Sequence, residues 1–185
     1  MKAVARGSTA KATMQFVSTR YGAAALDRIV SRLDPALANG LLRIGMTDDL
    51  PYADLVALWH SADRELGQES PHWMEEAGAY AIESFGQRLY RGLLQKSSPM
   101  EFVTQSVSLF RLYYSPGDIV LVDVDDARAV VRLVGFEPVD PLFCQRQTGG
   151  LRRAIELAGG KSVTVLHVRC EHEGDCYCEW EMRWS

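Results

Sequence analysis

Apolar residues recur at helical spacing through the first two-thirds of the chain. In residues 23–33 four apolar positions share one face, which predicts an amphipathic helix: Leu26, Ile29, Val30 and Leu33. The same kind of stripe predicts three further helices, in residues 52–67, 70–95 and 98–114. The first part of the chain is therefore predicted to be a layer of packed helices.

The pattern changes after Gly117 to short runs typical of strands. Two such runs meet at Asp125 and Asp126 and predict a hairpin. A helix over residues 141–158 follows, ends at Gly159, and leads into a second hairpin. This order predicts an α+β fold, with N-terminal helices packed on a small antiparallel sheet in the order helices, hairpin, helix, hairpin. The length fits a single domain spanning residues 1–185.

The final strand alternates cleanly between apolar and charged residues. Cys178, Trp180 and Met182 point one way, whereas Glu179 and Glu181 point the other. One face of the terminal hairpin is therefore predicted to be buried, and the other is predicted to contact water.

The strand before it is predicted to pair so that Cys170 lies opposite Cys176. In that register Leu166, Val168 and Cys170 turn to the apolar face. Cys144 lies on the apolar stripe of the preceding helix. All four cysteines are therefore expected to converge on the layer between helix and sheet.

Composition narrows the class of protein. Of the 185 residues, 47% are apolar and 24% charged, and the formal net charge is −4, which provides no basic face for nucleic acid. No apolar run reaches the roughly 20 residues of a membrane span, and the N-terminus lacks the apolar core of a signal peptide. We expect a cytoplasmic protein that binds no nucleic acid and has no membrane span. Thiols stay reduced there, which disfavours structural disulfides.

Spacing alone leaves three interpretations of the cysteines. Free cysteine behaves as a small apolar residue, so four buried thiols need no ion. Thiolates and imidazole are also the preferred ligands of a closed tetrahedral zinc site. Because the spacing lacks paired Cys-x-x-Cys motifs, it favours buried thiols. A strained disulfide between Cys176 and Cys178 is the third interpretation.

Residues 144–184 resemble the 4-vinyl reductase-like ligand-binding domain of bacterial sensors of aromatic compounds. The shared features are a helix with a central Gly149, a small-residue stop before a strand, and an ending Cys-…-Gly-Asp-x-x-Cys. Zinc-bearing members have a cysteine, an acidic ligand 23 positions later, a second cysteine three positions after that ligand, and a third cysteine eight positions after the second. The resemblance implies a zinc site at those offsets, with Cys176 as an alternate ligand: Cys144, His167, Cys170 and Cys178.

His167 is the departure from that family pattern, because the family has a carboxylate at this position. Imidazole is also a good zinc ligand. His167 has the opposite strand parity from Cys170, so a common ion requires a bulge. Zinc and four buried thiols both stay open.

Residues 6–35, 52–67 and 111–136 are similar to a myxobacterial protein family of unassigned function. That family looks related to the haem nitric-oxide-binding domain, the 4-vinyl reductase-like domain and the vesicle-tethering TRAPP subunits. The relationship implies an α+β fold with a pocket between helices and sheet that takes haem, aromatics or an acyl chain.

The residues themselves argue against haem. The haem branch carries a proximal histidine on a helix and a Tyr-x-Ser-x-Arg motif. Here "YYSPGD" has no arginine two residues after Ser115, His60 lies too far upstream, and His72 sits at a helix start. The predicted cofactor is zinc, with no haem.

Catalytic motifs such as GxSxG, HExxH and phosphate loops are missing from the sequence, so we predict a protein that is not an enzyme. Small residues beside aromatics leave room for an apolar cavity. The candidate ligand-binding residues are Trp59, Tyr80, Phe85 and Tyr113. We predict a bacterial sensory domain that binds a small apolar molecule in a helix–sheet pocket and signals through a homodimer or a partner protein. The alternative is a ligand-free homodimeric interaction or scaffold module.

Overall fold

The computed structural model describes residues 2–86, 98–105, 109–136 and 140–185. The helices are α1 (Gly7–Tyr21), α2 (Ala23–Ser31), α3 (Pro35–Arg43), α4 (Tyr52–Leu66), α5 (Trp73–Tyr80), α6 (Pro99–Gln105), α7 (Phe110–Tyr113) and α8 (Pro141–Leu157). The strands are β1 (Val4–Arg6), β2 (Asp49–Pro51), β3 (Tyr114–Ser115), β4 (Asp118–Asp125), β5 (Arg128–Val134), β6 (Thr164–Arg169) and β7 (Glu179–Arg183). None of the described helices has the length and apolar character needed to cross a membrane.

The strands form two antiparallel sheets. The larger sheet has the order β4-β5-β7-β6 and contains both predicted hairpins, which join through the β5–β7 pairing. The predicted α+β fold is therefore confirmed. A smaller sheet of order β2-β1-β3 was not predicted from the sequence. Its strands are only two or three residues long, which is too short to show an alternation.

The predicted long helix over residues 70–95 is divided in the structure. Helix α5 ends at Tyr80, and a π-helical segment, Ala81–Gly86, continues it. The predicted remainder, residues 87–97, lies outside the described residues. The next predicted helix begins as expected, because the Glu101 backbone N–H donates to Ser98 Oγ at 3.1 Å.

Helices α5 and α8 cross with their backbones in contact. A Cβ atom on Gly149 would lie 1.9 Å from the Glu75 carbonyl oxygen. A Cβ atom on Gly78 would lie 2.1 Å from the Arg146 carbonyl oxygen. Only glycine permits this approach, so these two positions fix how α8 sits between α5 and the large sheet.

The predicted register of the terminal hairpin is wrong by one residue. Leu166 pairs with Glu181 rather than Trp180, so Leu166 and Val168 face solvent, with 57% and 46% exposure. Val165 and His167 take the inward positions instead. An irregularity between His167 and Arg169 then shifts the register and leaves Cys170 buried. The bulge that the His167 hypothesis required is therefore present.

The outer face of the large sheet is covered by ion pairs. Arg128 Nε donates to Glu181 Oε2 at 2.8 Å, and Arg132 donates to Glu179 Oε2 at 2.8 Å. These arginines and glutamates on the outer face thus form ion pairs between neighbouring strands. The inner face carries Trp180 and Met182, both buried against α8 and its neighbours.

Candidate metal centre and ligand cavity

Four potential metal ligands converge at one end of α8. Cys144, His167, Cys170 and Cys178 each offer one donor atom, and these atoms all lie within 4.8 Å of one another. The Sγ atoms of Cys144 and Cys178 are 3.7 Å apart. Three sulfur donors and one imidazole form the donor set of a closed tetrahedral site for a soft divalent ion.

Local structure brings the ligands together from distant parts of the sequence. Asp140 caps α8 by accepting from the Leu142 backbone N–H at 2.9 Å, which starts the helix one turn before Cys144. On the other side, the Cys170 backbone N–H donates to Asp175 Oδ2 at 2.8 Å. Gly174 has a φ of 99°, so the turn reverses tightly and returns the chain towards Cys178.

His167 is held by its neighbours on the inner face. Its ring stacks on Trp180 with a centroid distance of 4.6 Å and an angle of 14° between the planes. Trp180 is in turn fixed by a hydrogen bond from Nε1 to Thr148 Oγ1 at 3.0 Å. The Nε2 atom of His167 is buried and has no hydrogen-bond partner among the described residues. An imidazole nitrogen in that condition is free to coordinate a metal.

The electrostatics of the thiols are coupled. A hydrogen bond from Cys144 lowers the pKa of Cys178, and a contact with His167 acts in the same direction. The pKa of Cys144 is raised, first by that same hydrogen bond and then by burial. Burial is also the main cause that raises the pKa of Cys170. Cys178 is therefore the thiol that most readily becomes the thiolate a metal requires.

The alternate ligand Cys176 lies apart from this cluster. Its side chain is exposed, and it is not among the four convergent donors in the described residues. The adjoining Tyr177 points to the outer face, where Arg132 lies 3.8 Å above its ring. All four cysteines are free thiols in this structure.

An open groove gives solvent access to the cluster. It has a volume of about 900 Å³ and runs between α5, α8 and β6. Charged side chains line its length, including Glu75 and Arg152, and its floor reaches Cys144, His167 and Cys170. A metal ion can therefore enter from this side without the fold opening.

A separate apolar cavity lies on the other side of α8, between the helices and the large sheet. Its volume is about 80 Å³. Side chains from α6, α7, α8 and four strands line it, among them Phe102, Phe110, Ile119, Leu151, Ala154 and Met182. Enclosure by apolar side chains is typical of a small-ligand site.

The predicted ligand-binding residues are spread across the core. Tyr113 lines the apolar cavity, whereas Trp59, Tyr80 and Phe85 are not among its lining residues. Trp59 is fully buried and donates from Nε1 to Thr13 Oγ1 at 3.2 Å.

Sequence reasoning missed Arg146, which is only 6% exposed. Arginine is rarely buried, so periodicity places such a residue on a solvent face.

Comparison with known proteins identifies similar folds but assigns the chain to no family. No family model and no curated protein matches the chain. The fold is similar to that of an H-NOX protein from S. oneidensis in the Fe(II)NO ligation state, with a TM-score of 0.75, 14% identity, and coverage of 97% of this chain and 99% of that one. An unliganded Fe(II) H-NOX protein from K. algicida gives a TM-score of 0.73 at 9% identity, with coverage of 97% and 96%.

A third H-NOX structure, used to probe haem distortion, gives a TM-score of 0.72 at 11% identity and covers 97% of this chain and 95% of that one. The likeness to the haem nitric-oxide-binding branch is therefore confirmed as a likeness of fold. The resemblance to the 4-vinyl reductase-like domain stays a prediction.

These comparisons overturn the cofactor prediction of zinc and no haem. The solved structures that share the fold over nearly the whole chain are haem proteins. Haem, rather than zinc, is therefore the cofactor that the fold implies, and missing motifs were not sufficient grounds to reject it.

An iron porphyrin needs an axial ligand and enough space, and the apolar cavity provides neither a histidine or cysteine ligand nor the space. All four histidines and all four cysteines of the chain belong to the described residues, and none lines the cavity. Haem iron needs an axial protein ligand, which is commonly histidine. A volume of about 80 Å³ also leaves no space for a porphyrin ring. The described lining of this cavity therefore does not fit a histidine-ligated haem.

Proposed function

We propose that the chain is a non-enzymatic sensory domain that binds a small apolar molecule between its helices and its large sheet. The observation that supports this function is the apolar cavity beside α8, lined by Phe102, Leu151 and Met182. An engineered apolar cavity of about 150 Å³ binds benzene. A cavity of about 80 Å³ therefore suits a ligand smaller than benzene.

We further propose that Cys144, His167, Cys170 and Cys178 bind one soft divalent ion as a structural site. The site lies on the opposite side of α8 from the apolar cavity. An ion here would tie α8 to β6 and β7 at one end. Its function would be to hold the terminal hairpin in register.

The two sites share the same structural elements. Cys144 and Ala154 both lie on α8, whereas Cys178 immediately precedes β7 and Met182 lies within it. The metal cluster fixes one end of this helix–strand pair, and the cavity lies further along it. A change in ligand occupancy could therefore be transmitted to the hairpin, where a partner chain would detect it. Four free thiols suit a reducing compartment such as the cytoplasm.

A cavity-filling variant tests the ligand proposal. Ala154 is 2% exposed and lines the cavity, so Ala154→Leu should occupy the space that a ligand would take. We expect small apolar molecules to raise the melting temperature of the wild-type protein but not that of Ala154→Leu. The matched control is Ala53→Leu on α4, an exposed position that should respond as the wild type does. Equal responses of both variants would refute the cavity as the binding site.

A second candidate function, a homodimeric interaction module, is favoured by the edge strand β6. Among the described residues β6 is an edge strand of the large sheet, and its exposed side chains include Leu166 and Val168, at 57% and 46% exposure. Exposed apolar edge strands are sites at which another chain can add. Light scattering of the wild type and of Leu166→Lys separates the candidates. A dimer that Leu166→Lys dissociates, together with no ligand binding, would favour the interaction module.

A further inference from the structure

Arg146 is a buried cation that has no counter-ion among the described residues. It is 6% exposed, and no Asp or Glu among the described residues forms an ion pair with it. The next arginines along α8 differ in this respect, because Arg152 pairs with Glu75 and Arg153 with Glu83 and Glu156. Buried charges in proteins are normally paired, since an isolated one is costly.

The neighbours of Arg146 compensate its charge only in part. Nη1 donates to Thr13 Oγ1 at 3.3 Å, and the guanidinium lies 5.6 Å from the centre of the Trp59 ring. A neutral hydroxyl and a distant ring satisfy few of the five N–H donors of a guanidinium. Tyr114 is a further neighbour: burial raises the pKa of its phenol, and the Arg146 guanidinium lowers that pKa through its charge and a hydrogen bond. Tyr114 therefore stays a neutral phenol and supplies no counter-charge.

Arg146 lines a second small cavity that adjoins the first one. This second cavity has a volume of about 50 Å³, and its lining includes Thr9, Tyr114 and Arg146. Thr9 Oγ1 is buried without a hydrogen-bond partner among the described residues. Tyr114 and Gly150 line both cavities, so the two adjoin. Together they form an apolar chamber with one cationic, hydroxyl-bearing end.

We propose that the ligand of this domain is a short-chain carboxylate, whose anionic group binds Arg146 and whose apolar tail fills the larger cavity. This inference rests on the proposed function and specifies the ligand class for the same site. The guanidinium provides two parallel N–H donors that match a carboxylate. The combined size suits a ligand of about five heavy atoms, by scaling from a cavity of about 150 Å³ that holds benzene. Propionate is therefore the probe of choice.

A neutral isostere distinguishes this inference from the function on which it rests. Propionamide has nearly the same shape as propionate but no charge. We expect calorimetric titration at pH 7 to show propionate binding the wild type about tenfold or more tightly than propionamide, as a charge-assisted hydrogen-bond pair predicts. In Arg146→Met this preference should be lost while propionamide affinity persists. Arg152→Met, which alters an arginine of the same helix outside both cavities, should keep the preference.

Each result gives a different conclusion. Equal affinities for the two probes in the wild type would overturn the carboxylate inference but leave the apolar-ligand function standing. No binding of either probe would overturn the carboxylate inference, and the function itself would then be overturned only if small apolar molecules also failed to raise the melting temperature of the wild type. If Arg146→Met is unfolded, Arg146→Lys serves instead, because it keeps the charge and removes the bidentate geometry. An Arg146→Lys protein with unchanged propionate affinity would show that the guanidinium does not bind the carboxylate. Propionate preference that Arg152→Met abolishes equally would also contradict the assignment.

Discussion

The two sides of α8 carry buried polar groups of opposite chemical character. Cys144 faces a cluster of thiols and an imidazole, whereas Arg146, two residues later, faces an apolar chamber. Positions two apart on a helix point in nearly opposite directions, about 200° around the axis. One side thus gathers electron-pair donors that suit a cation, and the other presents a lone cation that suits an anion. This contrast is the basis on which we propose a metal site on one side of α8 and a ligand site on the other.

The largest expected effect comes from breaking the thiol cluster. Cys178→Ser removes the thiol that most readily ionises, and we expect loss of bound metal and a loss of stability of at least about 3 kcal/mol. Elemental analysis for divalent transition metals and denaturant unfolding measure both quantities. Cys176→Ser is the matched control, because this cysteine lies outside the cluster and its replacement should change neither. Wild-type protein without bound metal would show that the four donors are only buried side chains, and metal retained by Cys178→Ser would show that Cys178 is not a ligand.

A second variant tests the close helix crossing that positions both sides of α8. Gly149→Ala forces a methyl group to 1.9 Å from the Glu75 carbonyl oxygen, so we expect a loss of about 3 kcal/mol in unfolding free energy. Gly40→Ala on α3 is the control, since its Cβ meets nothing within 4 Å. That change should stabilise the protein by about 0.5–1 kcal/mol. Similar effects of both substitutions would mean that the crossing is not tight in solution.

Replacing Arg146 should change the free energy of unfolding by a smaller amount and in the opposite direction. Arg146→Met replaces a buried charge without a counter-ion by an apolar side chain, and we expect a gain of about 1 kcal/mol in the ligand-free protein. Arg152→Met removes a partly exposed ion pair with Glu75 and should cost less than about 1 kcal/mol. Denaturant unfolding measures both. A large destabilisation by Arg146→Met would show that the fold already satisfies the guanidinium, which would erase the contrast with the thiol side.

The smallest expected effect on stability concerns Glu181, a carboxylate that is already paired with two arginines. Arg128 and Arg183 lower the pKa of Glu181 through hydrogen bonds. Its contribution to stability is present above the ordinary pKa of a glutamate and is lost as pH falls through the lowered value. Glu181→Gln should therefore flatten the acid limb of the stability profile, whereas the exposed Glu69→Gln should not. Thermal unfolding across the acid range measures this, and an unchanged slope in Glu181→Gln would contradict the pairing.

Sequence patterns predicted the elements better than the contacts between them. The inward positions of Cys178, Trp180 and Met182 follow from their alternation, and the structure confirms their burial. The inward position of His167 depends on a bulge, which alternation does not reveal. Burial of Arg146 is a tertiary effect of the α5–α8 crossing, and a local pattern assigns such a residue to solvent. The burial of Arg146 was therefore harder to predict from the sequence than the burial of the cysteines.

The measurement that tests the central claim most directly is a crystal structure under xenon pressure. Xenon enters dry apolar cavities without needing polar groups. The proposed function predicts xenon density between α8 and the large sheet, against Phe102, Ala154 and Met182, and its loss in Ala154→Leu. A wild-type crystal without xenon at that position would contradict a ligand cavity between the helices and the sheet.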